Sequence, residues 1–136
     1  MPIIELKISG QEDPDLAKEL ATEISRLTKD ILNKKAEVTV VTVSFMPDQF
    51  WFVNSVSLAE LKMKSFYLNI KISDSTNLKP EKADYIKDVH ATLNAILGNI
   101  HPISYTSIQE MKTDGYGYDG STIEYKYIQN TNNRKQ

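Results

Sequence analysis

The chain has 136 residues, of which 40% are hydrophobic and 25% are charged, and its formal net charge is −2. This length and composition predict one soluble, cytoplasmic domain. The absence of cysteine, together with only 2 histidines, excludes thiol chemistry and disfavours a metal site. The small acidic excess disfavours nucleic acid as a partner, and no apolar stretch approaches the ~20 residues that a membrane span requires.

The first half of the chain reads as a strand, a helix and a second strand. Alternating apolar side chains predict the first strand over residues 2–8. Asp13 as N-cap and Pro14 at the first helical position then open a helix predicted over residues 14–33. The β-branched run at residues 37–46 is typical of a strand that is covered on both faces, which predicts an interior position in a sheet.

The second half of the chain repeats this plan. A third strand is predicted over residues 66–72, and a second helix begins around Pro80 and ends at Gly98. Residues 105–111 are predicted to form a fourth strand. The predicted inner face of the second helix consists of Ala83, Ile86, His90, Leu93 and Leu97.

Equivalent residues of the two halves lie at a nearly constant separation. Pro14 and Pro80 are 66 positions apart, and Ile8 and Ile72 are 64 positions apart. This offset predicts an α+β fold of duplicated βαβ units, with one four-stranded sheet and two helices on one of its faces. The uncovered sheet face then predicts association with other copies of the chain.

The segments around the two βαβ units are less regular. The turn at residues 115–120 is open to two interpretations, a simple hairpin or a loop that closes over a pocket. The predicted organisation is a single domain, residues 1–136, made of a βαβ unit (2–46), a linker (47–64), a second βαβ unit (66–111), a C-terminal hairpin and short strand (112–128, the strand over 122–128) and a frayed tail (129–136).

Pro2 is the most distinctive candidate for chemistry. Removal of Met1 would leave proline at the N-terminus with a secondary amine, held in place by the strand that follows it. Apolar burial would lower the pKa of this amine below the ~8 of an ordinary α-amino group. The neutral amine would then take a proton from a carbon next to a carbonyl, with no cofactor and no metal. The alternative is that Pro2 merely begins an edge strand.

Several segments resemble the tautomerase superfamily, which includes 4-oxalocrotonate tautomerase and macrophage migration inhibitory factor (MIF). The N-terminal residues 1–8, the duplicated βαβ plan and the segment 66–74 carry the resemblance. The aromatic run at residues 50–52 and the turn at residues 116–120 are most similar to bacterial tautomerase-like proteins of the fused type.

The resemblance implies a homotrimer in which Pro2 is the general acid or base acting on a small 2-oxo acid or enol. The lysine of the site matches either Lys34 or Lys35, with Lys35 preferred. Tyr105 matches a tyrosine that lines the pocket from a neighbouring subunit, and Ser107 stands where the MIF branch has an asparagine.

Two further features bear on the substrate. Trp51 is interpreted equally well as an apolar wall of the Pro2 pocket or as a core or subunit contact. The 4-oxalocrotonate branch binds dicarboxylates through an arginine pair, but Arg26 and Arg134 are the only arginines here. A monocarboxylate, a ketone or an enol similar to phenylpyruvate is therefore the expected substrate.

Other functions remain open at this stage. The order of elements is shared with non-catalytic ferredoxin-like modules that bind ligands or oligomerise. Within the superfamily, decarboxylation or hydrolytic dehalogenation would use the same proline as an acid. His90 is expected to be a core residue and His101 a loop residue, with neither acting as a ligand.

Overall fold

The helices and strands follow the predicted alternation, with short additional elements between the two βαβ units and at the C-terminus. The structure, a computed structural model, describes residues 2–135 and the side chains of residues 2–132. In chain order the elements are β1 (Ile3–Ser9), α1 (Pro14–Leu32), β2 (Val40–Met46), β3 (Phe52–Val53), β4 (Val56–Ser57), α2 (Leu58–Leu61), β5 (Phe66–Ser73), α3 (Lys79–Leu97), β6 (Tyr105–Met111), β7 (Gly117–Tyr118), β8 (Ser121–Thr122) and α4 (Ile123–Lys135). Within the described residues, no helix is both long enough and apolar enough to cross a membrane.

A four-stranded mixed sheet of order β2-β1-β5-β6 joins the two βαβ units. Within each unit the strands are parallel, because α1 and α3 act as the crossovers. The units meet at the antiparallel pair of β1 and β5, in which Ile3 lies opposite Lys71. This arrangement confirms the predicted α+β fold of duplicated βαβ units with one four-stranded sheet.

The two long helices begin and end where their capping residues allow. The Asp13 carboxylate accepts hydrogen bonds from the first amides of α1, and Asn33 ends this helix in a left-handed conformation with φ 59°. At the start of α3 the Glu81 carboxylate accepts from the Leu78 amide at 2.7 Å, and Gly98 follows its last residue with φ 74°. The predicted helix limits are therefore confirmed to within one or two residues.

The hydrophobic core lies between the sheet and these two helices. His90 is half-buried there, and its ring is tilted against Phe66 with the ring centroids 5.9 Å apart. Alternate residues of β1 and β5 point into the core and are fully buried, namely Ile4, Leu6, Ile8, Phe66, Leu68, Ile70 and Ile72.

The inner face of α3 differs from the predicted one. The buried residues of α3 are Tyr85, Val89 and Leu93. Ala83 and Ile86 are exposed, so their predicted inner position is wrong. Tyr85 is amphipathic, and its burial depends on a hydrogen-bond partner supplied by another helix, which the periodicity of α3 alone does not reveal.

Thr28 of α1 is that partner. Its Oγ1 lies 2.9 Å from the Tyr85 hydroxyl and donates to the Ile24 carbonyl at 2.7 Å, so the tyrosine is the donor to the threonine. Burial raises the pKa of Tyr85 to about 12, which keeps the hydroxyl neutral at ordinary pH. The pair therefore links the two long helices through a satisfied buried hydrogen bond.

The strand predicted to be interior, β2, lies at an edge of the sheet. One of its faces packs on the core through Val41, Val43 and Phe45, while Val40 on the other face is 49% exposed. The predicted interior position is therefore wrong for the single chain. A β-branched run indicates a preference for the extended backbone, but burial of its second face requires another layer of protein.

The C-terminal segment also differs from its predicted form. Residues 123–135 form α4, in place of the predicted strand over residues 122–128 and the predicted tail. The Thr122 hydroxyl accepts from the Tyr125 amide at 3.0 Å, and this cap favours a helix over continued strand. The extended part is limited to β8, which pairs with β7. Gln136 lies outside the described residues.

The Thr28–Tyr85 pair gives an asymmetric stability prediction. Tyr85→Phe removes one hydrogen bond but leaves Thr28 donating to Ile24, so we expect it to lower the free energy of unfolding by about 1 kcal/mol. Thr28→Val leaves the buried tyrosine hydroxyl without a hydrogen-bond partner, so it should lower the free energy of unfolding by more, ~1–3 kcal/mol. Urea unfolding of the two variants measures this order, and a larger loss in Tyr85→Phe would contradict the assigned donor.

Candidate active site

A cavity of about 590 Å³ lies where β1 begins and where β5 and β6 end. Its remaining walls are formed by residues 37, 38 and 40, by the turn between β6 and β7 together with β7, and by the first residue of α4. Its lining residues are Pro2, Ile3, Glu37, Val38, Val40, Lys71, Met111, Gly115, Tyr116, Gly117, Tyr118 and Ile123.

Pro2, the predicted catalytic residue, is buried in this cavity. Its carbonyl oxygen accepts a hydrogen bond from the Val40 amide at 3.2 Å, and the next residue, Ile3, pairs with both Val40 and Lys71. Since β1 has a neighbour on each side, the interpretation of Pro2 as the start of an edge strand is wrong. Met1, whose removal the chemistry requires, lies outside the described residues.

Lys71 brings a positive charge into the cavity, and the sequence analysis missed it. Ile70 and Ile72 are buried under the helices, so Lys71 projects from the opposite face of β5. No ion pair joins Lys71 to a carboxylate among the described side chains. The duplicated plan of the chain is the sequence feature that could have identified Lys71. If the equivalent strands β1 and β5 pair antiparallel, the start of β1 lies beside the end of β5.

Glu37 supplies the other charge of the cavity. It lies in a single turn of 3-10 helix between α1 and β2, and its side chain is exposed. Among the described residues there is no group of three or more His, Cys, Asp or Glu arranged to hold a metal ion. The charged lining is therefore one lysine and one glutamate, on opposite sides of the start of β1.

Tyr116 contributes a hydroxyl group to the cavity. This hydroxyl donates to the Lys71 carbonyl oxygen over 3.4 Å, which is a long and weak contact. Burial raises the pKa of Tyr116, so the phenol remains protonated and able to donate at neutral pH. The Tyr116 carbonyl accepts from the Ile123 amide at 2.8 Å, which attaches the residue to the start of α4.

The turn that carries Tyr116 is both a hairpin and a wall of the cavity, so the two interpretations of residues 115–120 describe one structure. β7 and β8 approach so closely that a Cβ at Gly117 would overlap the Ser121 carbonyl group. A glycine is therefore required at this position for steric reasons.

The predicted lysine, Lys35, lies outside the Pro2 cavity. Lys35 and its alternative, Lys34, both line a neighbouring cavity of about 480 Å³, which shares Val38 and Ile123 with the first. Lys34 Nζ donates to the Thr76 hydroxyl at 2.8 Å. The structure thus places both lysines next to the Pro2 cavity, behind a shared apolar wall.

The other predicted residues lie farther away within one chain. Tyr105 is the first residue of β6 and is 62% exposed, whereas the cavity adjoins the last residue of that strand, about 20 Å away by strand geometry. Ser107 lies midway along the edge strand β6 and pairs with Asn69 of β5. Trp51 follows the far end of β2, and its carbonyl accepts from the Leu58 amide. None of the three lines the Pro2 cavity of its own chain.

Comparisons with solved structures identify the fold. A wild-type fused 4-OT in the form of an asymmetric trimer has a TM-score of 0.79 at 13% identity, covering 92% of this chain and 98% of that one. A MIF-like protein from Entamoeba histolytica has a TM-score of 0.69 at 22% identity, covering 89% and 97% of the two chains. Pt0534, inactivated by 2-oxo-3-pentynoate, has a TM-score of 0.78 at 8% identity, covering 90% and 98%.

These similarities cover nearly the whole chain at low identity. No family model matches the sequence, and no curated protein matches it either. The chain therefore has the fold that these fused 4-OT and MIF-like structures share, with two βαβ units in one chain, and this confirms the fold that the sequence resemblance predicted.

Substitution of Gly117 tests the role of the hairpin as a cavity wall. Gly117→Ala should force β7 and β8 apart and weaken the bond between the Tyr116 carbonyl and the Ile123 amide. We expect hydrogen exchange at the Ile123 amide to accelerate about tenfold. Gly115→Ala is the matched control, because the nearest atom to its Cβ would be the Lys112 carbonyl oxygen at 3.9 Å. Equal exchange rates in the two variants would refute the steric requirement.

Proposed function

We propose that this protein is a cofactor-independent tautomerase that acts on a small 2-oxo acid or its enol through the N-terminal amine of Pro2. The observation that carries the proposal is the burial of Pro2 in a cavity that also contains a lysine and a tyrosine hydroxyl. The fold shared with fused 4-OT and MIF-like proteins supports it. Inactivation of Pt0534 by 2-oxo-3-pentynoate, itself a 2-oxo acid, supports the substrate class.

The reaction requires a proton to move between two atoms of the substrate. After removal of Met1, the neutral Pro2 amine would take a proton from the carbon next to the substrate carbonyl, and the C–H electron pair would form the carbon–carbon double bond of the enolate. The Lys71 ammonium would stabilise the negative charge that develops on oxygen. The Tyr116 hydroxyl would donate a hydrogen bond to the same oxygen, and the protonated proline would then give its proton to that oxygen, which yields the enol and restores the neutral amine.

The surroundings of Pro2 favour a neutral amine. Burial disfavours the ammonium form, and the Lys71 charge on the adjacent strand acts in the same direction. Glu37 acts in the opposite direction, but its exposure to solvent screens its charge. The balance supports general-base chemistry by the proline over chemistry in which it stays protonated, such as dehalogenation.

We further propose that the active form is a homotrimer, as in the fused 4-OT trimer of the same fold. The edge position of β2 and the exposure of Tyr105 support association. Tyr105, Ser107 and Trp51 would then contribute to the Pro2 cavity of a neighbouring copy. The involvement of Lys35 and a cytoplasmic location remain predictions from the sequence.

Replacement of the proline tests the proposal directly. Pro2→Ala replaces the secondary amine of proline by a primary amine of lower basicity and different geometry, so we expect kcat/KM for ketonisation of an enol such as that of phenylpyruvate to fall at least about 100-fold. Mass spectrometry of protein from its own cell should show loss of Met1. Retention of Met1 would favour the non-catalytic module, and full activity in Pro2→Ala would show that the proline amine is not the catalytic group.

Lys71→Gln tests the contact between the Lys71 ammonium and the oxyanion. Loss of a charge-assisted hydrogen bond should lower kcat/KM by about tenfold or more. Lys7→Gln is the matched control, because Lys7 projects from the same sheet face at the other end of β1 and pairs with Tyr67. Equal effects of the two substitutions would show that only the general charge of the sheet face matters, and would remove Lys71 from the mechanism.

A further inference from the structure

The neighbouring cavity has a composition distinct from that of the Pro2 cavity. It lies between the end of α1, the start of α3 and the outer part of α4. We call it the lysine groove, because Lys34, Lys35 and Lys126 line it and Glu81 is the one acidic residue in its described lining. Three cations against one anion leave the groove electropositive.

Lys34 is the most constrained of these cations. It is half-buried, and burial lowers its pKa although Glu81 and Glu110 act in the opposite direction. Its hydrogen-bond partner is the neutral Thr76 hydroxyl, which leaves two of its three N–H donors available. Neither Lys34 nor Lys35 forms an ion pair with a described carboxylate. A partly desolvated ammonium without a counterion is stabilised when an anion binds.

Lys126 is only weakly engaged. Its Nζ lies 4.0 Å from the Asp119 carboxylate, which is 88% exposed, and 4.2 Å from the centroid of the Tyr118 ring. The long ion pair with the exposed Asp119 contributes little stability. The amine therefore has no strong counterion, and an anion in the groove would compete with its cation–π contact to Tyr118.

Glu81 acts electrostatically on Lys34 but forms no ion pair with a described lysine of the groove. Its Oε1 accepts from the Leu78 amide at 2.7 Å as part of the cap at the start of α3. The carboxylate is thus held towards the helix terminus, where its charge also offsets the helix dipole. With this carboxylate held at the start of α3, the three lysines give the rest of the groove its positive charge.

The rest of the lining suits the organic part of a ligand. Leu32, Val38, Ile123 and the Tyr127 side chain supply apolar surface, and Thr131 supplies a hydroxyl. A volume of about 480 Å³ is in the range of small-molecule sites. The lining of the groove therefore combines an apolar surface with three lysine side chains.

We propose that the lysine groove is a second binding site, separate from the Pro2 cavity, for a small phosphate monoester with an apolar or aromatic body. A phosphate dianion matches the net charge of three lysines and one glutamate, and its several acceptor oxygens suit lysine donors supplied by the segment after α1 and by α4. The proposal does not depend on the reaction assigned to Pro2.

Calorimetric titration of the full chain with phenyl phosphate, in a phosphate-free buffer of low ionic strength, tests the site. We expect saturable binding that weakens at least tenfold in Lys34→Gln and in Lys126→Gln, and further in the double variant. Lys18→Gln is the control of equal charge, since Lys18 is exposed on α1 about 20 Å from Leu32. Circular dichroism checks that each variant is folded.

Two further variants separate this site from the Pro2 cavity. Pro2→Ala and Lys71→Gln should both bind phenyl phosphate as the unmodified chain does. Loss of binding in Lys71→Gln with retention in Lys34→Gln would place the anion in the Pro2 cavity and overturn the proposal. Absence of saturable binding, or equal weakening by Lys18→Gln, would also overturn it.

Discussion

The antiparallel pairing of β1 with β5 is the constraint on which the candidate site depends. It sets Ile3 opposite Lys71, so the start of the first strand of one βαβ unit meets the end of the first strand of the other. Pro2 is buried at this junction, and its carbonyl is tied to β2 through the Val40 amide. Neither unit alone contains both the proline and the lysine, so the site requires both halves of the duplicated chain.

The segment after the second βαβ unit completes the cavity. Tyr116 reaches the end of β5 because β7 and β8 close tightly around Gly117 and because α4 begins at once after them. Ile123, the first residue of α4, then separates the Pro2 cavity from the lysine groove. The least regular part of the sequence therefore shapes both cavities, while the repeated units supply the rigid frame.

The sequence predicted the long helices and strands better than the residues of the candidate site. Strong periodicity and capping residues such as Asp13 and Gly98 identified the long elements, because these signals act locally. Pro2 was recognised from its position in the chain. Lys71 was missed because its position in the cavity depends on strand pairing. The inner face of α3 was predicted incorrectly because it contains Tyr85, whose burial depends on a hydrogen bond to another helix. The C-terminal helix was missed because the cap from Thr122 outweighs a short alternating pattern.

The central claim is that Pro2 carries a free and largely neutral amine inside the cavity. Incubation with 2-oxo-3-pentynoate, whose alkyne is activated by the adjacent carbonyl towards neutral amines, followed by peptide mass spectrometry, tests this most directly. The account predicts loss of activity together with one adduct per chain, located on an N-terminal Pro2. An unmodified Pro2 in fully inactivated protein, or an adduct on a lysine instead, would contradict it.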